Sequence, residues 1–389
     1  MKDLLVQAKD VSELMVDLAW ASVIYDDRDI AREVIEIEDR MNQLVYELRR
    51  ICLIASRSPE DADYFSSILQ VASSMEKVGD AAEDIARVVL KRLGVPWELR
   101  RDLRHADEAV GRIPLGEGSA LAGRSLEELA IPRETGVWLI AVRREVEWMF
   151  APGPDFVLHE GDVLYAQGAE SGLAALRRLV GADDEPEVPD WEPEDSLSVA
   201  VDLLVEMKNV TETAVGLAYS SLIFRDKGLA AEVAAIEDRT DQMYEDLESW
   251  VLAAGRTELD PSELRGLIHI GEATERIADA VQAMVWLIER DEELHPVLAE
   301  AFAEADEVVA AFTVVEDAPL ANRSLGDLRV RTETGMDVLA IQRGNHWRYR
   351  PRKGFVLQSR DRILAIGPED GVELLAALAD PKVLQAAES

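Results

Sequence analysis

The sequence is poor in the residues that build thiol-based sites. Its single cysteine, Cys52, cannot form an internal disulfide, and one thiol is too few for a thiolate metal site. Because Ile51 and Leu53 flank it, we expect this thiol to be buried and structural. The sequence also lacks an apolar run of the roughly 18 residues that a membrane helix requires, and residues 1–10 lack the pattern of a signal peptide. We therefore expect a soluble protein of the cytoplasm.

Basic residues are scarce. The 389 residues include 77 aspartates and glutamates against 41 lysines and arginines, which gives a formal net charge of −36. Repulsion of this size destabilises a compact chain unless salt screens it, so the composition predicts a halophilic cytoplasm. An acidic surface made for one basic partner is the alternative, but the acids are spread through both halves of the sequence. Free nucleic acid is not an expected partner, because it carries the same sign of charge.

The sequence has few residues suited to catalysis. Glu292 and His295 give one Glu-x-x-His spacing among five histidines, whereas a ferritin-like di-metal enzyme needs two such pairs. This spacing stands directly before Pro296, and we interpret it as chance. No nucleophile has a readable base beside it, and no glycine-rich strand-to-helix turn typical of a Rossmann domain occurs. We predict that the protein is not an enzyme.

What the sequence does contain is an internal repeat. Shifted by 199 residues, it matches itself from end to end without a gap: the run IEDR at 37–40 falls on 236–239, and the run RSL at 124–126 falls on 323–325. Two copies of equal length predict one fold made twice. Fused copies of a fold usually pair, so we expect an intrachain pseudo-dimer, with a homodimer of chains also open.

The first part of each copy has helical periodicity. Apolar residues three and four positions apart form a seam in copy one and again in copy two: Ile30, Val34, Ile37, Met41, Leu44, Leu48 and Ile51, then Leu229, Val233, Ile236, Thr240, Met243, Leu247 and Trp250. We predict further helices before residue 30, over 59–93 and over 96–110. Each first part is therefore predicted to be a bundle of antiparallel helices.

The second part of each copy changes to short strands and short helices. In copy one the predicted strands occupy 137–142, 145–150, 156–158 and 162–166, with a helix at 125–129 capped by Ser125 and a closing helix at 171–180. The predicted fold class is α+β, a tandem duplication of an all-α bundle followed by a small α+β module. The predicted domains are 1–108 and 197–307 for the bundles, 109–182 and 308–385 for the modules, and 183–196 for an acidic linker.

Two sets of motifs resemble known families. The run MEKVGD at 75–80 resembles a pattern of the PhoU family, the helical regulators associated with phosphate uptake. The run LAGRSL at 121–126 and the run EGDVL at 160–164 resemble the C-terminal regulatory module of TrkA and other potassium-conductance regulators. Such modules usually dimerise and bind a small ligand between two copies, in some relatives cyclic di-AMP. The resemblance implies a soluble partner of a membrane cation transporter or channel.

Acidic residues stand one helical turn apart beside the helical seams. The positions are Glu38, Asn42, Glu76 and Asp80 in copy one and Glu237, Asp241, Glu275 and Asp279 in copy two. On antiparallel helices such side chains can converge, and carboxylate oxygens suit hard cations or iron. The PhoU resemblance implies a metal site there, and we predict a weakly bound cation, weaker in copy one because Asn42 replaces an acid. The alternative is that these acids are solvated flanks of an acidic bundle.

The two small modules differ in charge. Residues 316–367 hold ten arginines and lysines against six acids, whereas 117–168 hold four against nine. A basic module favours an anionic ligand or an acidic surface, with docking on the protein's own acidic bundle as the alternative. The family resemblance and this charge suggest five ligand-binding candidates, which are Arg331, Asp337, Arg343, Arg133 and Arg143. Copy one departs from the family's nucleotide site at Pro132 and Trp138, so symmetric binding of cyclic di-AMP is not expected.

Two functions follow from these patterns. We favour a cytoplasmic, ligand-sensing regulatory subunit of a membrane cation transport system, in which potassium is the expected ion and an anionic nucleotide such as cyclic di-AMP is a candidate ligand. The alternative is a PhoU-like adaptor in phosphate uptake whose carboxylates bind a metal. The two differ in where the ligand sits, between the small modules or on the helices. A scaffold that binds neither is a third possibility.

Overall fold

The chain separates into two compact units, each built from both copies of the repeat. The computed structural model describes residues 1–104, 109–116, 118–145, 147–150, 152–168, 170–181, 196–255, 260–303, 307–344, 346–349, 351 and 353–381. Met1–Ala106 and Val188–Ala305 form one unit, here called the helical unit. Asp107–Glu187 and Asp306–Ser389 form the other, here called the sheet unit. The predicted linker at 183–196 lies outside the described residues except for Ser196, and the other predicted boundaries stay predictions.

Corresponding elements occur in both copies. Copy one contains α1 (Lys2–Tyr25), α2 (Arg28–Ala55), α3 (Pro59–Leu90), α4 (Trp97–Arg104), β1 (Ala109–Pro114), α5 (Leu126–Leu129), α6 (Ile131–Thr135), β2 (Trp138–Arg144), β3 (Glu147–Phe150), β4 (Val163–Gly168) and α7 (Glu170–Val180). Copy two contains α8 (Ser196–Phe224), α9 (Lys227–Ala254), α10 (Pro261–Glu289), α11 (Pro296–Phe302), β5 (Glu307–Thr313), α12 (Leu325–Leu328), α13 (Val330–Thr334), β6 (Asp337–Arg343), β7 (His346–Tyr349), β8 (Arg362–Pro368) and α14 (Glu369–Ala379). The α+β duplication predicted from the sequence is confirmed.

The long helices begin where side chains satisfy their free backbone N–H groups. Asp27 caps α2 by accepting from the N–H of Asp29 at 2.8 Å and of Ile30 at 3.3 Å. Ser58 and Asp61 form a reciprocal capping box at the start of α3, with Pro59 in its first turn. Behind these caps most of the predicted seam is buried, and Cys52 is buried with it.

The last helix predicted for the bundle of copy one is too long. The helix predicted over 96–110 is wrong at its C-terminal end, because α4 ends at Arg104 and strand β1 begins at Ala109. The intervening residues 105–108 lie outside the described part. Strand β1 exists because it pairs with β4, some fifty residues later, so Ala109 pairs with Gly168 and Pro114 with Val163. A pairing this distant leaves no local periodicity to read.

The two halves of the helical unit pack through α3 and α10, which run antiparallel. Gln70 Nε2 donates to the carbonyl of Ala283 at 3.0 Å, and Asp84 forms an ion pair with Arg276 at 2.6 Å. At one end Gly266 lies against the Gly94 loop, where an added Cβ would stand 1.8 Å from the Gly94 carbonyl oxygen. The start of α10 therefore lies beside the end of α3.

A second contact in the helical unit joins α1 and α8 by a pseudo-symmetric exchange. Lys9 lies over the ring of Tyr219 at 5.0 Å, and its repeat equivalent Lys208 lies over the ring of Trp20 at 6.0 Å. Ser12 also shares a 3.2 Å hydrogen bond with the Tyr219 hydroxyl. Tyr219 and Trp20 are themselves repeat equivalents, so each half supplies one cation and one ring.

Each module of the sheet unit is a four-stranded antiparallel sheet. The strand orders are β1-β4-β2-β3 and β5-β8-β6-β7. One face of each sheet is covered by apolar side chains from the short helices, with Val142, Leu164 and Leu176 fully buried in copy one. The strand predicted at 156–158 is wrong, since Val157 makes a single bridge to Ser125. The short helix at 125–129 is confirmed, and Ser125 caps it.

The two modules pair, as the repeat predicted. Helix α6 of copy one contacts its equivalent α13 of copy two within the sheet unit. Neither helix was predicted from the sequence. Each begins after a residue in the left-handed region, Ala130 at φ 43° and Arg329 at φ 47°, and ends at a glycine, Gly136 or Gly335. The Thr-Gly steps in the sequence are therefore the ends of the pairing helices.

Candidate functional site

The structure brings the predicted acids of copy two into one cluster. Glu237 and Asp241 lie one turn apart on α9, and Glu275 and Asp279 lie one turn apart on the neighbouring α10. Oxygens of Glu237, Asp241 and Asp279 lie within 4.8 Å of one another. Glu275 joins this group through a hydrogen bond with Asp241, and Glu237 bonds to Asp279 in the same way. Carboxyl groups this close hold protons or a cation between them.

The electrostatics of this cluster favour proton retention. Partial burial, followed by the charges of Asp241 and Asp279, raises the pKa of Glu237 to about 7. Partial burial and the same two aspartates raise the pKa of Glu275 to about 7. Burial and then Asp241 raise the pKa of Asp279. A divalent cation would relieve the same repulsion that now retains protons.

Two of the matching acids of copy one have partners within the protein, although burial and then Glu76 still raise the pKa of Asp80. Asn42 donates to Glu38, and Arg49 forms an ion pair with Glu76 at 2.5 Å. Burial, then Glu83 and Asp80, raise the pKa of Glu38. Among the described residues, the copy-one acids do not form a three-acid group of the kind found in copy two.

One exchange of residues explains much of this difference. The position of Arg49 in copy one is occupied by Glu248 in copy two. Copy one therefore places a cation beside its acids where copy two places a further acid. Additional arginines bind neighbouring acids in copy one, with Arg87 on Glu83 at 2.7 Å and Arg276 on Asp84 at 2.6 Å. The acids were predicted from the sequence but these cations were not. Arg87 lies one turn from Glu83 on the same helix, whereas Arg49 and Arg276 reach their acids only through helix packing.

In the sheet unit, Arg343 lies in a structural fork. Its guanidinium donates to both carboxylate oxygens of Asp361 at 2.8 and 2.7 Å and to the carbonyl of Val356 at 2.8 Å. Asp361 is 1% exposed, so this contact fixes a buried charge. The hydrogen bonds to Asp361 raise the pKa of Arg343. That Arg343 also binds a ligand stays a prediction.

Copy one contains the same fork, formed by Arg144, the residue that follows the ligand candidate Arg143. Arg144 donates to both oxygens of Asp162 at 2.8 Å and to the carbonyl of Val157 at 2.9 Å. Burial raises the pKa of Asp162, but the hydrogen bonds from Arg144 and from the His159 N–H outweigh it and leave the pKa below its usual value. The repeat offset already aligned Arg144 with Arg343, so the sequence contained this signal.

The remaining ligand candidates occupy different settings. Arg331 lies at the start of the pairing helix α13, is 15% exposed and approaches Asp337 at 4.0 Å. Arg143 lies over the ring of Trp148 at 5.8 Å. The side chain of Arg133 lies outside the described residues. Among the five candidates, Arg331 and Asp337 are the pair that the structure brings together at the helix joining the two modules.

Comparison with known families accounts for both units. The PhoU domain family matches residues 5–89 and 204–285, in the helical unit. The TrkA-C domain family matches residues 110–181 and 309–380, in the sheet unit. The chain is a tandem duplication of a PhoU domain followed by a TrkA-C domain. Both resemblances read from the sequence are confirmed.

Individual relatives match parts of the chain. The "Probable potassium channel protein 2" of Methanocaldococcus jannaschii is 35% identical over 92 residues, which are 24% of this chain and 27% of that protein. PhoU from Pseudomonas aeruginosa is 16% identical, with a TM-score of 0.40 over 74% of this chain and 92% of its own. The RCK_C domain dimer of S. agalactiae BusR in complex with c-di-AMP is 28% identical, with a TM-score of 0.18 over 18% of this chain and 95% of its own. Within the described residues, no helix is long and apolar enough to cross a bilayer.

Proposed function

We propose that this protein is a non-enzymatic, ligand-sensing regulatory subunit of a potassium transport system. The observation that carries the proposal is the pairing of its two TrkA-C modules within one chain through α6 and α13. The name of the Methanocaldococcus relative, a probable potassium channel protein, supports potassium as the transported ion. Both matched families are regulatory, which supports a role without catalysis.

The ligand acts by stabilising one arrangement of the paired modules. A molecule that contacts both modules shifts their equilibrium only by the difference between its affinities for the two arrangements. The modules differ in charge. The copy-two module has ten basic and six acidic residues over 316–367, whereas the copy-one module has four basic and nine acidic residues over 117–168. The ligand is therefore an anion bound asymmetrically, mainly by copy two, with a nucleotide such as cyclic di-AMP as the first candidate.

We assign the binding of the anionic ligand to Arg331. It stands in the pairing helix of the basic module, where copy one has Pro132. An arginine fork binds a phosphate group in bidentate fashion, which proline cannot do. The protein therefore offers one strong anion position per chain rather than two.

The partner is a membrane cation transporter or channel, and the protein acts at its cytoplasmic side. Binding of the anion at the sheet unit changes the affinity of the whole chain for the transporter by a coupling free energy that works in both directions. Copurification of the full chain with solubilised native membranes, with and without the ligand, identifies the transporter. Absence of any cation transporter from both samples would refute this part of the proposal.

Calorimetric titration of the full-length protein tests the ligand. We expect cyclic di-AMP or another anionic nucleotide to bind with one molecule per chain, and Arg331→Ala to weaken that binding at least about tenfold, since a charge-assisted bidentate contact is lost. Arg360→Ala is the matched control, because Arg360 lies in the same module and is 87% exposed. If nucleotides and potassium all fail to bind, or if both variants weaken binding equally, the proposal is wrong.

A second candidate function is metal binding by the copy-two acids. The specific observation in its favour is that Glu237, Asp241 and Asp279 place oxygens within 4.8 Å of one another. Titration with Mn²⁺ should show binding that the Glu275→Ala, Asp279→Ala double variant abolishes. The equivalent Glu76→Ala, Asp80→Ala variant is the matched control and should retain it. Binding that survives the first variant would contradict a metal role for this cluster.

A further inference from the structure

Helices α4 and α11 are the last helices of the helical unit before the chain enters the sheet unit. Each of them packs on the same two helices, α1 and α8. The chain continues from α4 to strand β1 through residues 105–108, and from α11 to strand β5 through residues 303–306. A connector of four residues extends to at most about 18 Å, so the position of each helix restrains the strand that follows it.

The two helices bury equivalent apolar side chains. Leu99 and Leu103 of α4 correspond in the repeat to Leu298 and Phe302 of α11, and all four are fully buried. Each helix therefore has an apolar anchor in the helical unit. Salt does not screen such an anchor, because it carries no charge.

The charged residues of the two helices differ. Three arginines stand against two acids in α4, whereas α11 has one charged residue, Glu300. At the positions of Arg100 and Arg104, copy two has Ala299 and Ala303. The repeat therefore provides a matched pair of helices, of which one has charged anchors in addition to its apolar ones.

Arg100 of α4 faces acids at the ends of two other helices. It donates to Asp26, directly after α1, at 3.2 Å, and the two side chains are 32% and 60% exposed. Burial, then Asp260 and Glu98, raise the pKa of Glu263 at the start of α10, and the charge of Arg100 opposes that rise. Contacts between charges this open to solvent weaken when salt screens them.

The other two arginines of α4 contribute further electrostatic contacts. Arg104 lies over the ring of Tyr25, the last residue of α1, at 5.6 Å. Burial and then Asp102 raise the pKa of Asp202 on α8, and the charge of Arg101 opposes that rise. The contact with α8 therefore mixes repulsion and attraction, whereas the contacts at the end of α1 are attractive.

The contacts of α11 are apolar or directed to the backbone. The ring of Phe302 packs edge-on against the ring of Tyr219, with their centroids 5.1 Å apart. Arg225, the repeat equivalent of Asp26, donates to the carbonyl of Leu294, just before α11, at 3.0 Å. Salt has less to screen in these contacts than in those of α4.

The net charge of the helical unit acts on the two helices with opposite signs. Residues 1–106 and 188–305 hold 48 acids against 23 basic residues. The unit therefore attracts α4, which has a net charge of +1, and repels α11, which has a net charge of −1. Added salt screens both effects, which weakens the hold on α4 and strengthens the hold on α11.

We infer that α4 is a salt-sensitive link between the helical unit and the sheet unit, and that α11 is its salt-resistant counterpart. As the ionic strength rises, α4 leaves its position more often than α11 does, which frees the copy-one module more than the copy-two module. The response requires no ligand, so it does not depend on the proposed binding at Arg331. For the proposed regulator of potassium transport it adds a second input, because accumulated potassium salt raises the ionic strength.

Hydrogen–deuterium exchange of the full-length protein, read by mass spectrometry, compares the two helices within one molecule. The measurement is made at constant pH and temperature, at about 0.2 M and about 2 M KCl. The ratio of the exchange rate of α4 to that of α11 should rise about threefold at the higher salt, as expected when exposed ion pairs are screened. NaCl should give the same rise, whereas sucrose should give none because it is uncharged.

Three double variants connect the response to the arginines. Arg100→Ala, Arg104→Ala gives α4 the residues that copy two has at these positions, and it should lose the rise. Arg50→Ala, Arg57→Ala removes the same charge at the far end of α2 and should keep the rise. Arg100→Lys, Arg104→Lys preserves both charges and should also keep it, so the test is decided even where the first variant fails to fold.

The inference is overturned if salt leaves the wild-type ratio unchanged, or if the Arg100→Ala, Arg104→Ala variant responds as the wild type does. Loss of the rise in the lysine variant would likewise overturn it, because the charges would then not be the cause. A rise with KCl but not with NaCl would also contradict it, because that result would assign the effect to a bound potassium ion.

Discussion

Replacing Glu237 and Glu275 of the copy-two cluster should change how the stability of the helical unit depends on pH. The perturbation is the double variant Glu237→Gln, Glu275→Gln, which keeps the shape and the hydrogen-bonding capacity of both side chains. In the folded protein both pKa values are raised from 4.5 to about 7. A group whose pKa rises on folding binds protons more tightly in the folded state, so its stabilising contribution is complete below pH 4.5 and is lost as the pH rises through 7.

The magnitude follows from the size of the two shifts. A shift of one unit corresponds to about 1.4 kcal/mol, which would give roughly 3 kcal/mol for each isolated group. Both side chains are open to solvent and salt, and both are repelled by the same two aspartates, so about 1 kcal/mol for each is the expected effect after screening. The unfolding free energy of the wild type should therefore fall by about 2 kcal/mol between pH 4.5 and 7 through these two groups.

Urea unfolding followed by circular dichroism measures this effect, because helices dominate that signal. The measurement is made between about pH 5 and pH 8 with a chelator present and at constant salt. The double variant should be less sensitive to pH and should exceed the wild type by about 2 kcal/mol at the alkaline end. The matched variant Glu38→Gln, Glu76→Gln should gain nothing there, because it breaks the ion pair with Arg49. Equal pH dependence in the wild type and in Glu237→Gln, Glu275→Gln would refute the reasoning.

Four further substitutions test the packing by chemical denaturation. Gly266→Ala should lower the free energy of unfolding by about 1–3 kcal/mol, because its Cβ would stand 1.8 Å from a backbone oxygen. Gly79→Ala should lower it by less, because its Cβ meets a flexible methionine sulfur at 3.2 Å. Arg343→Ala should destabilise the sheet unit by about 3 kcal/mol, because it leaves the carboxylate of Asp361 buried without its fork, and a variant as stable as wild type would show the fork to be dispensable. Asp27→Ala should lower the free energy of unfolding by about 1 kcal/mol, because it removes the N-terminal cap of α2. An unchanged denaturation midpoint would contradict that role.

The helices and their caps were readable because their determinants are local. The seam beginning at Ile30 repeats every three and four residues, Asp27 and Ser58 stand directly before helices, and Pro59 occupies a first turn. The short helix capped by Ser125 followed from the same rule. Strand β1 was missed because its partner β4 lies some fifty residues away, and α6 was missed because five residues are too few to show a period.

For the candidate sites too, local features were predicted from the sequence and features that depend on distant residues were not. The convergence of the acids in copy two followed from their spacing on the helices, which is a local property, and their role as metal ligands stays a prediction. The difference between the copies was not predicted from the sequence, because it depends on the ion pair that Arg49 forms with Glu76 on the next helix. The structural role of Arg144 was also missed, although the repeat placed it opposite Arg343, since the carboxylate that it binds comes from a distant loop.

The sequence by itself determined that the protein is one α+β unit made twice, which long helices form, where they begin, and which side chains stand together on one helix. These properties depend on a residue's chain neighbours, through helical periodicity and capping. Only the tertiary structure decided that the like parts of the two copies join in common units, that α6 and α13 meet, and that Glu237 and Glu275 each hydrogen-bond an aspartate of the neighbouring helix while Glu76 binds Arg49. Those outcomes depend on distances between residues far apart in the chain, because burial and the charges of neighbouring elements set the energy of each side chain.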